Sequence, residues 1–390
     1  MKFKLISIVL IVISILVMNG CGEKMPLPVV ETNPDAFGAN DTSYIHVNPD
    51  WDAVSLNYTA SLPFDPVDIT VGLDDYIFVA DRSNNKIVTI SKSGNTISNQ
   101  NLNKIETIAN PVAIDIDSKL NLLIVNGTNE IFCWNQYINN IGVDSVLVGI
   151  AEDRTYIFSG EQSKIDSITG IYSVYMDSEQ SSRFQGIAFG PVLDNELFVT
   201  DNGNNRIAKL SFVMAGAVLL KNGYMHPIFT ATYEGDIATF GSGAGTVDDP
   251  RSITTDENGN IYFTQMGGNF LVQKLERNND KYYSAYTLYE DPIMDLNRFS
   301  NPVDIAIGSN EDIFVLDADS GRVYKFFNKG SKAGEEANLG KEGLADEYFH
   351  NAKSLCVSAD EIVYIADTEN AMIKRYQFSV SEEDLPDEEY

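Results

Sequence analysis

Several things are scarce in this chain, and each scarcity removes a class of function. There are three cysteines and no Cys-x-x-Cys pair, so zinc-cluster and dithiol redox chemistry fall away. Basic residues are few, with 27 Lys plus Arg against 56 Asp plus Glu and a formal net charge of −29. A surface that negative repels phosphate backbones and anionic headgroups, so nucleic acid is not an expected partner. Histidine is nearly absent as well: His46, His226 and His350 stand in unlike contexts and suggest no symmetric metal site. No Gly-x-x-x-x-Gly-Lys-Ser/Thr loop and no Gly-x-Ser-x-Gly elbow occurs. No stretch carries a convincing helical period. GSGAGTVDDP (241–250) is glycine-rich, but it runs into a strand, where a phosphate cradle needs a helix N-terminus.

The chain has one long apolar run, LISIVLIVISILVM, preceded by Lys2 and Lys4 and ending at Asn19-Gly20-Cys21. It is short for a membrane span and has the layout of an export signal. With Cys21 directly after Gly20 it resembles a bacterial lipoprotein signal, in which Cys21 becomes the acylated first residue, carrying palmitate-type chains. Met18 and Asn19 depart from the usual leucine and small residue of that pattern. Gly22 in place of an aspartate implies the outer membrane by the same resemblance, on a face left open. The expected organisation is a signal peptide at 1–20, a Pro-, Gly- and Asn-rich tether at 21–42, a folded body at 43–379 and an acidic tail at 380–390. Cys133 and Cys356 read as buried small hydrophobes in strands.

What is present in abundance is a repeat. Asp65-Pro66-Val67-Asp68-Ile69 has counterparts beginning at Asn110, Asp249 and Asn301, and weaker ones at Arg183 and Asn351. From the second residue of each motif to the end of the next strand the count is 15 in five units: Pro66 to Asp81, Pro111 to Asn126, Pro250 to Gln265, Pro302 to Asp317 and Ala352 to Asp367. Phe184 to Asp201 takes 17, the extra residues lying in GPVLDNE. Constant internal spacing with variable sequence between units marks a structural repeat. Each unit holds a short alternating strand, a tight turn, an apolar run (IFVA, LLIV, LFVT, IYFT, IFVL, VYIA), a polar turn and a third strand. Three strands plus a variable fourth, about every 50 residues, make a propeller blade. The expected fold is all-β, a six-bladed β-propeller, with the long interval after 111 holding an extended outer hairpin; the alternative is a seventh blade around Val146–Ile171. The segment near 51–60 is expected to supply the outer strand that the last unit lacks, closing the ring.

The units resemble NHL repeats, as in VTDNGNNRIAKL (199–210) and VADRSNNKIVTI (79–90), with VLDADSGRVYKF (315–326) and IADTENAMIKRY (365–376) following. The unit at 249–275 has Gln265 for the aspartate, and that at 110–135 has Asn126 and lacks the Asn-Asn-Arg run. Among propellers similar to this one, amidating and streptogramin lyases use a metal and histidines in the central channel. Lactonases and strictosidine-synthase-like proteins use an axial site, often with calcium.

The recurring Asp81, Asp201, Asp317 and Asp367 read as structural turn residues: a carboxylate at a strand end accepts backbone N–H groups from the following turn, and a single active site would need the motif only once. Asp317-Ala318-Asp319-Ser320-Gly321 lacks the further ligands of an EF-hand loop and reads as a hairpin turn. Asp115, Asp117, Asp256 and Glu257 are expected to form turns. Tyr282, Tyr283, Tyr286 and Tyr289, with Phe326 and Phe327, read first as inter-blade packing and second as a sugar- or protein-binding surface. No catalytic or metal residue is assigned and no cofactor is predicted; calcium or zinc belongs to the enzyme alternative. The reading is a lipid-anchored binding or scaffold module of the cell envelope, joined to the membrane through Cys21, with an envelope protein or a glycan as partner. The alternatives are a metal-dependent lyase or lactonase-like hydrolase with a central-channel site, and glycan capture beside a nutrient-uptake system.

Overall fold

A computed structural model describes residues 43–94, 105–141, 170–191, 195–220, 222–286, 293–327, 331–332 and 349–379. The signal segment, Cys21, the tether, the acidic tail and all but the last two residues of the 146–171 segment lie outside the described residues.

Two short strands, β1 (Ser43–His46) and β2 (Trp51–Asp52), precede the repeats. Blade 1 is β3 (Pro66–Val71), β4 (Ile77–Asp81), β5 (Lys86–Ile90) and β6 (Ile105–Thr107). Blade 2 is β7 (Ala113–Ile116), β8 (Asn121–Val125), β9 (Glu130–Asn135) and β10 (Tyr172–Met176). Blade 3 is β11 (Phe184–Phe189), β12 (Glu196–Asp201), β13 (Arg206–Leu219) and β14 (Met225–Ala238). Blade 4 is β15 (Pro250–Thr255), β16 (Ile261–Gln265), β17 (Val272–Asn278) and β18 (Lys281–Ser284). Blade 5 is β19 (Pro302–Ile307), β20 (Ile313–Asp317), β21 (Arg322–Phe327) and β22 (Ser331–Lys332). Blade 6 is β23 (Ser354–Val357), β24 (Ile362–Asp367) and β25 (Met372–Ser379), completed by β1. The fold is all-β, a six-bladed β-propeller.

The apolar runs of the sequence become the second strand of each blade. β4, β8, β12, β16 and β20 are buried at every residue, because both faces of a blade pack against neighbours. The core therefore lies between blades. One cluster joins Phe78 and Ala80 of blade 1 to Ile114, Ile124 and Trp134 of blade 2. Burying a side chain of Phe78's size contributes about 1.5–3 kcal/mol.

One expectation needs correction. The closing strand of blade 6 is β1, which pairs with β25 from Ser43↔Ser379 to His46↔Tyr376. The 51–60 segment adds just the two-residue β2, at Trp51↔Ile373 and Asp52↔Met372, before turning away. One short helix is also present, α1 (Gln136–Ile141), whose start is capped by the Asn135 side chain accepting from the Ile138 N–H at 2.9 Å. A single turn and a half is too short to show a period. Cys133 and Cys356 are buried and free.

Candidate functional site: the central channel

The motif aspartates tie each blade to its own entry. Asp81 accepts from the Asp65 N–H (3.2 Å), Asp201 from Arg183 (2.8 Å), Asp317 from Ser300 (2.6 Å) and Asp367 from His350 (2.7 Å). Each carboxylate thus holds the chain just before the inner strand, which accounts for the near-constant spacing. Gln265 does the same, accepting from the Asp248 N–H at 3.0 Å. The two asparagines that follow divide the work. Asn84 and Asn204 donate through Nδ2 to their own aspartates, each at 2.8 Å. Asn85 and Asn205, in the left-handed conformation at φ 54° and 49°, accept from the entry residues of the next blade, Asn110 and Asp249, at 2.7 Å. Asp317–Gly321 forms a turn, with Ser320 N–H on Asp317 (3.1 Å) and Asn301 Nδ2 on Asp319 (2.8 Å).

A second set of acidic groups lies on the axis. Asp68, Asp115 and Asp304 line a central channel of about 620 Å³ bounded by the inner strands of all six blades. Inner strands of adjacent blades splay apart, and side chains bridge the seams. Asp68 accepts from the Ile114 N–H of blade 2 (2.5 Å), Asp115 from the Phe189 N–H of blade 3 (2.7 Å) and Asp304 from the Leu355 N–H of blade 6 (2.7 Å). Ser252 of blade 4 donates to Asp304, and Ser354 of blade 6 donates to Asp68. Between blades 3 and 4 the backbones approach too closely for a side chain at this step: the Arg251 carbonyl stands where a Cβ on Gly186 would go. The bridges there come from Thr200 Oγ1, donating to that carbonyl, and Thr255 Oγ1, donating to the Phe189 carbonyl, each at 2.6 Å.

Burial raises the Asp68 carboxyl well above the usual range, and the nearby Asp304 adds to the shift; burial likewise raises Asp304. Burial pushes Asp115 up to about 7. Asp115 is therefore a bridge between blades and not the turn former expected. Asp117 and Asp256 do form turns, accepting from the N–H groups of Asn121 and Asn260 at 2.8 and 2.9 Å.

The channel end at which the inner strands begin has a different character. Arg82, Arg251 and Lys353 line it, with Gln185, Asn301 and Met266 between them. In blades 1, 3, 4 and 5 the pairing of the inner strand shifts register at this level. Such bulges re-aim side chains, and Arg251 sits in one, between Pro250 and Ile253.

The remaining candidates disperse. His46 stacks on Tyr376 and bonds Asp50 (2.6 Å), His350 pairs with Glu369 (3.1 Å), and neither lines the channel. His226 lies in a separate groove of about 680 Å³, stacked on Tyr137 at 5.6 Å with Tyr224 alongside. Burial drives the His226 imidazole down to about 4. No group of three or more His, Cys, Asp or Glu side chains among the described residues is placed to hold a metal. Of the expected aromatic surface, Tyr282 packs on Phe198, Tyr286 on Phe270, and Phe326 is buried, leaving Tyr283 and Phe327 exposed at separate places; Tyr289 lies outside the described residues.

No protein-family model matches the chain. Over 143 residues, 36% of this chain and 41% of the relative, it is 28% identical to a probable peptidyl-alpha-hydroxyglycine alpha-amidating lyase of Caenorhabditis elegans. The match thus spans about two fifths of that curated relative's length. Among solved structures the chain is similar to a streptogramin B lyase, with a TM-score of 0.48 and 13% identity over 86% of this chain and 98% of that one. It is also similar to an auxiliary nutrient binding protein from Bacteroides thetaiotaomicron, with a TM-score of 0.47 and 11% identity over 81% of this chain and 70% of that one.

Proposed function

We propose that this chain is an exported propeller, built of NHL-type repeats, that takes a small-molecule ligand into its central channel. The observation that carries the reading is the channel itself: about 620 Å³ lined by all six blades, with unlike side chains at equivalent positions. Val67, Val112, Gln185, Arg251, Val303 and Lys353 occupy the same step of the repeat and all line the channel, and the bridging of blade seams, which falls to the next residue, does not account for that variety. The volume is in the range of small-molecule sites. The test substitutes Val112→Trp, a partly exposed channel-lining position, which places an indole across the opening. Full chain in neutral detergent is mixed with the low-molecular-weight fraction of a bacterial extract, washed, denatured and assayed by mass spectrometry. At least one compound retained in stoichiometric amount by the wild type and lost from Val112→Trp is expected. An identical retained set in both proteins, or none in the wild type, ends the reading.

Turnover of that ligand is the second reading, and the match to an amidating lyase favours it over a passive scaffold. A lyase or hydrolase with zinc or calcium at the axis would have to draw on Asp68, Asp115 and Asp304, because His46, His226 and His350 lie off the channel. Those carboxylates already accept backbone N–H groups, so they fit a metal poorly. Elemental analysis of dialysed protein decides: stoichiometric metal lost from Asp304→Ala supports the enzyme, and metal-free, fully folded protein opposes it. Outer-membrane anchoring through Cys21 is part of the proposal. It rests on the Lys2–Cys21 sequence, and labelled palmitate incorporated by the wild type but not by Cys21→Ser is the expected result.

A further inference from the structure

The charges at the channel mouth run against the charge of the molecule. In a chain of net −29, three cations from three separate blades converge on one opening: Arg82 from blade 1, Arg251 from blade 4 and Lys353 from blade 6. Their internal partners are incomplete. Arg82 meets Asp65 at 3.2 Å, and Arg251 meets Asp249 at 3.0 Å through Nη2. Arg251 Nε is buried without a hydrogen-bond partner among the described residues. Lys353 Nζ donates to Asn351 Oδ1 at 2.6 Å, a neutral oxygen. Burial first, and then the charge of Arg82, lower the affinity of the Lys353 amine for its proton; Glu369 opposes them, Arg251 adds to them, and Asp65 opposes more weakly. Like charges gathered this way repel, Asp65, Asp249 and Glu369 offset that repulsion in part, and a bound anion relieves what remains. The acidic groups that line the same cavity do not supply it. Asp68 and Asp304 are pushed toward the protonated form, and each of the three carboxylates is engaged across a blade seam.

We propose that the mouth formed by Arg82, Arg251 and Lys353 binds the oxyanion of an acidic small molecule, a carboxylate or a phosphate, whose remainder extends into the channel. This inference rests on the channel-binding reading above and adds the ligand class. Arginine forks and a lysine point charge suit either oxyanion. Gln185 and Asn301 stand beside the cations as neutral donors. Acidic neighbours outside the channel lining, Asp65, Asp249 and Glu369, orient the cations and offset part of their charge.

The test is thermal melting of the full chain in neutral detergent with citrate, inorganic phosphate or chloride at matched ionic strength. A saturable rise in Tm with citrate or phosphate over chloride is expected, and which of the two saturates at lower concentration separates the carboxylate from the phosphate source. Arg251→Gln/Lys353→Gln should weaken the apparent affinity by about tenfold or more. The single variant Lys353→Gln, which relieves repulsion and should fold, should do so in part. Lys281→Gln, exposed on β18 and away from the channel, should respond as the wild type does. Citrate and phosphate indistinguishable from chloride, or saturation unchanged in both mouth variants, overturns the proposal. A compound lost from Val112→Trp but retained by Arg251→Gln/Lys353→Gln leaves the channel reading standing and sinks the anion inference alone. Retention unaffected by either change sinks both.

Discussion

The aspartates of the strand-end turns are buried and those of the channel wall are half-buried or buried, and the two sets bond in different directions. Asp81, Asp201, Asp317 and Asp367 hold groups of their own blade: the entry N–H and the turn that follows. Asp68, Asp115 and Asp304 reach across to the next blade. The first set recurs because every blade has to be folded back on itself. The second is irregular, because each seam has its own width. Carboxylate, hydroxyl and glycine substitute for one another around the axis as the gap narrows toward Gly186. The electrostatic settings differ too. Asp201 faces the buried Arg206 guanidinium at 2.8 Å, whereas Asp304 faces Ser252 and backbone amides with another carboxyl close by.

Replacement by asparagine tests that contrast most sharply. Asp201→Asn sets an amide where Oδ2 accepts from both Arg206 and Asn204, and Arg206, 8% exposed, keeps Asp177, with Asp236 and Glu179 farther off. A loss of about 3 kcal/mol is expected in urea unfolding, the usual order for breaking a buried pair. Asp304→Ala comes next. It strips the acceptor from the Leu355 N–H and the Ser252 hydroxyl and should cost about 2–3 kcal/mol. Asp304→Asn keeps an oxygen for Leu355 and an amide for Ser252, and should stay within about 1 kcal/mol of the wild type. Equal costs for Asp201→Asn and Asp304→Asn would erase the distinction between the two sets.

The turn aspartates and the blades around them were legible in the sequence because they are local. A strand, a turn and an Asn-Asn pair fall within a dozen residues, and six copies average out the noise in any one. The channel was less legible. Asp68 and Asp304 received no role of their own within the repeat motif, and Asp115 read as a turn former, since nothing local says which alternate residue of a strand points to an axis. The mouth cations were not legible at all. Arg82, Arg251 and Lys353 come one to a blade, far apart in sequence, and only closure of the ring makes them neighbours. The closing strand was misplaced for a related reason: SYIH is four residues long, and WDAVSLNYTA carries more strand-like and apolar residues.

The channel set also sets the direction of a pH effect. With its folded pKa at about 7 against an ordinary value near 4, Asp115 holds a proton that the unfolded chain has released. Its contribution to stability is therefore present at low pH and lost as pH rises through 7. His226 acts in the opposite sense, but between about 4 and its ordinary value near 6.5, so a window from pH 6.5 to 8 excludes it, while Asp68 and Asp304, also raised, act in the same direction as Asp115. Stability should fall across that window by about 1 kcal/mol more in the wild type than in Asp115→Asn. The same fall in both proteins would remove Asp115 as its source.

The smallest expected effect lies within the turn set. Asp81 has no arginine of the Arg206 kind. The corresponding strand opens with Lys86, and the Asp81 carboxylate instead accepts from the Tyr58 hydroxyl at 2.8 Å. Tyr58 precedes the repeats, so this bond ties the segment after β2 to blade 1. In Tyr58→Phe the ring stays packed on Phe64, and Asp81 keeps the Asp65 and Asn84 N–H groups and the Asn84 amide. A loss of about 0.5–1 kcal/mol is expected, with the urea m-value unchanged. Asp81→Ala should cost more, because it also releases the entry N–H. If the two substitutions cost the same, Tyr58 alone is what Asp81 serves, and blade 1 departs from the rule that the turn aspartate fastens its own blade.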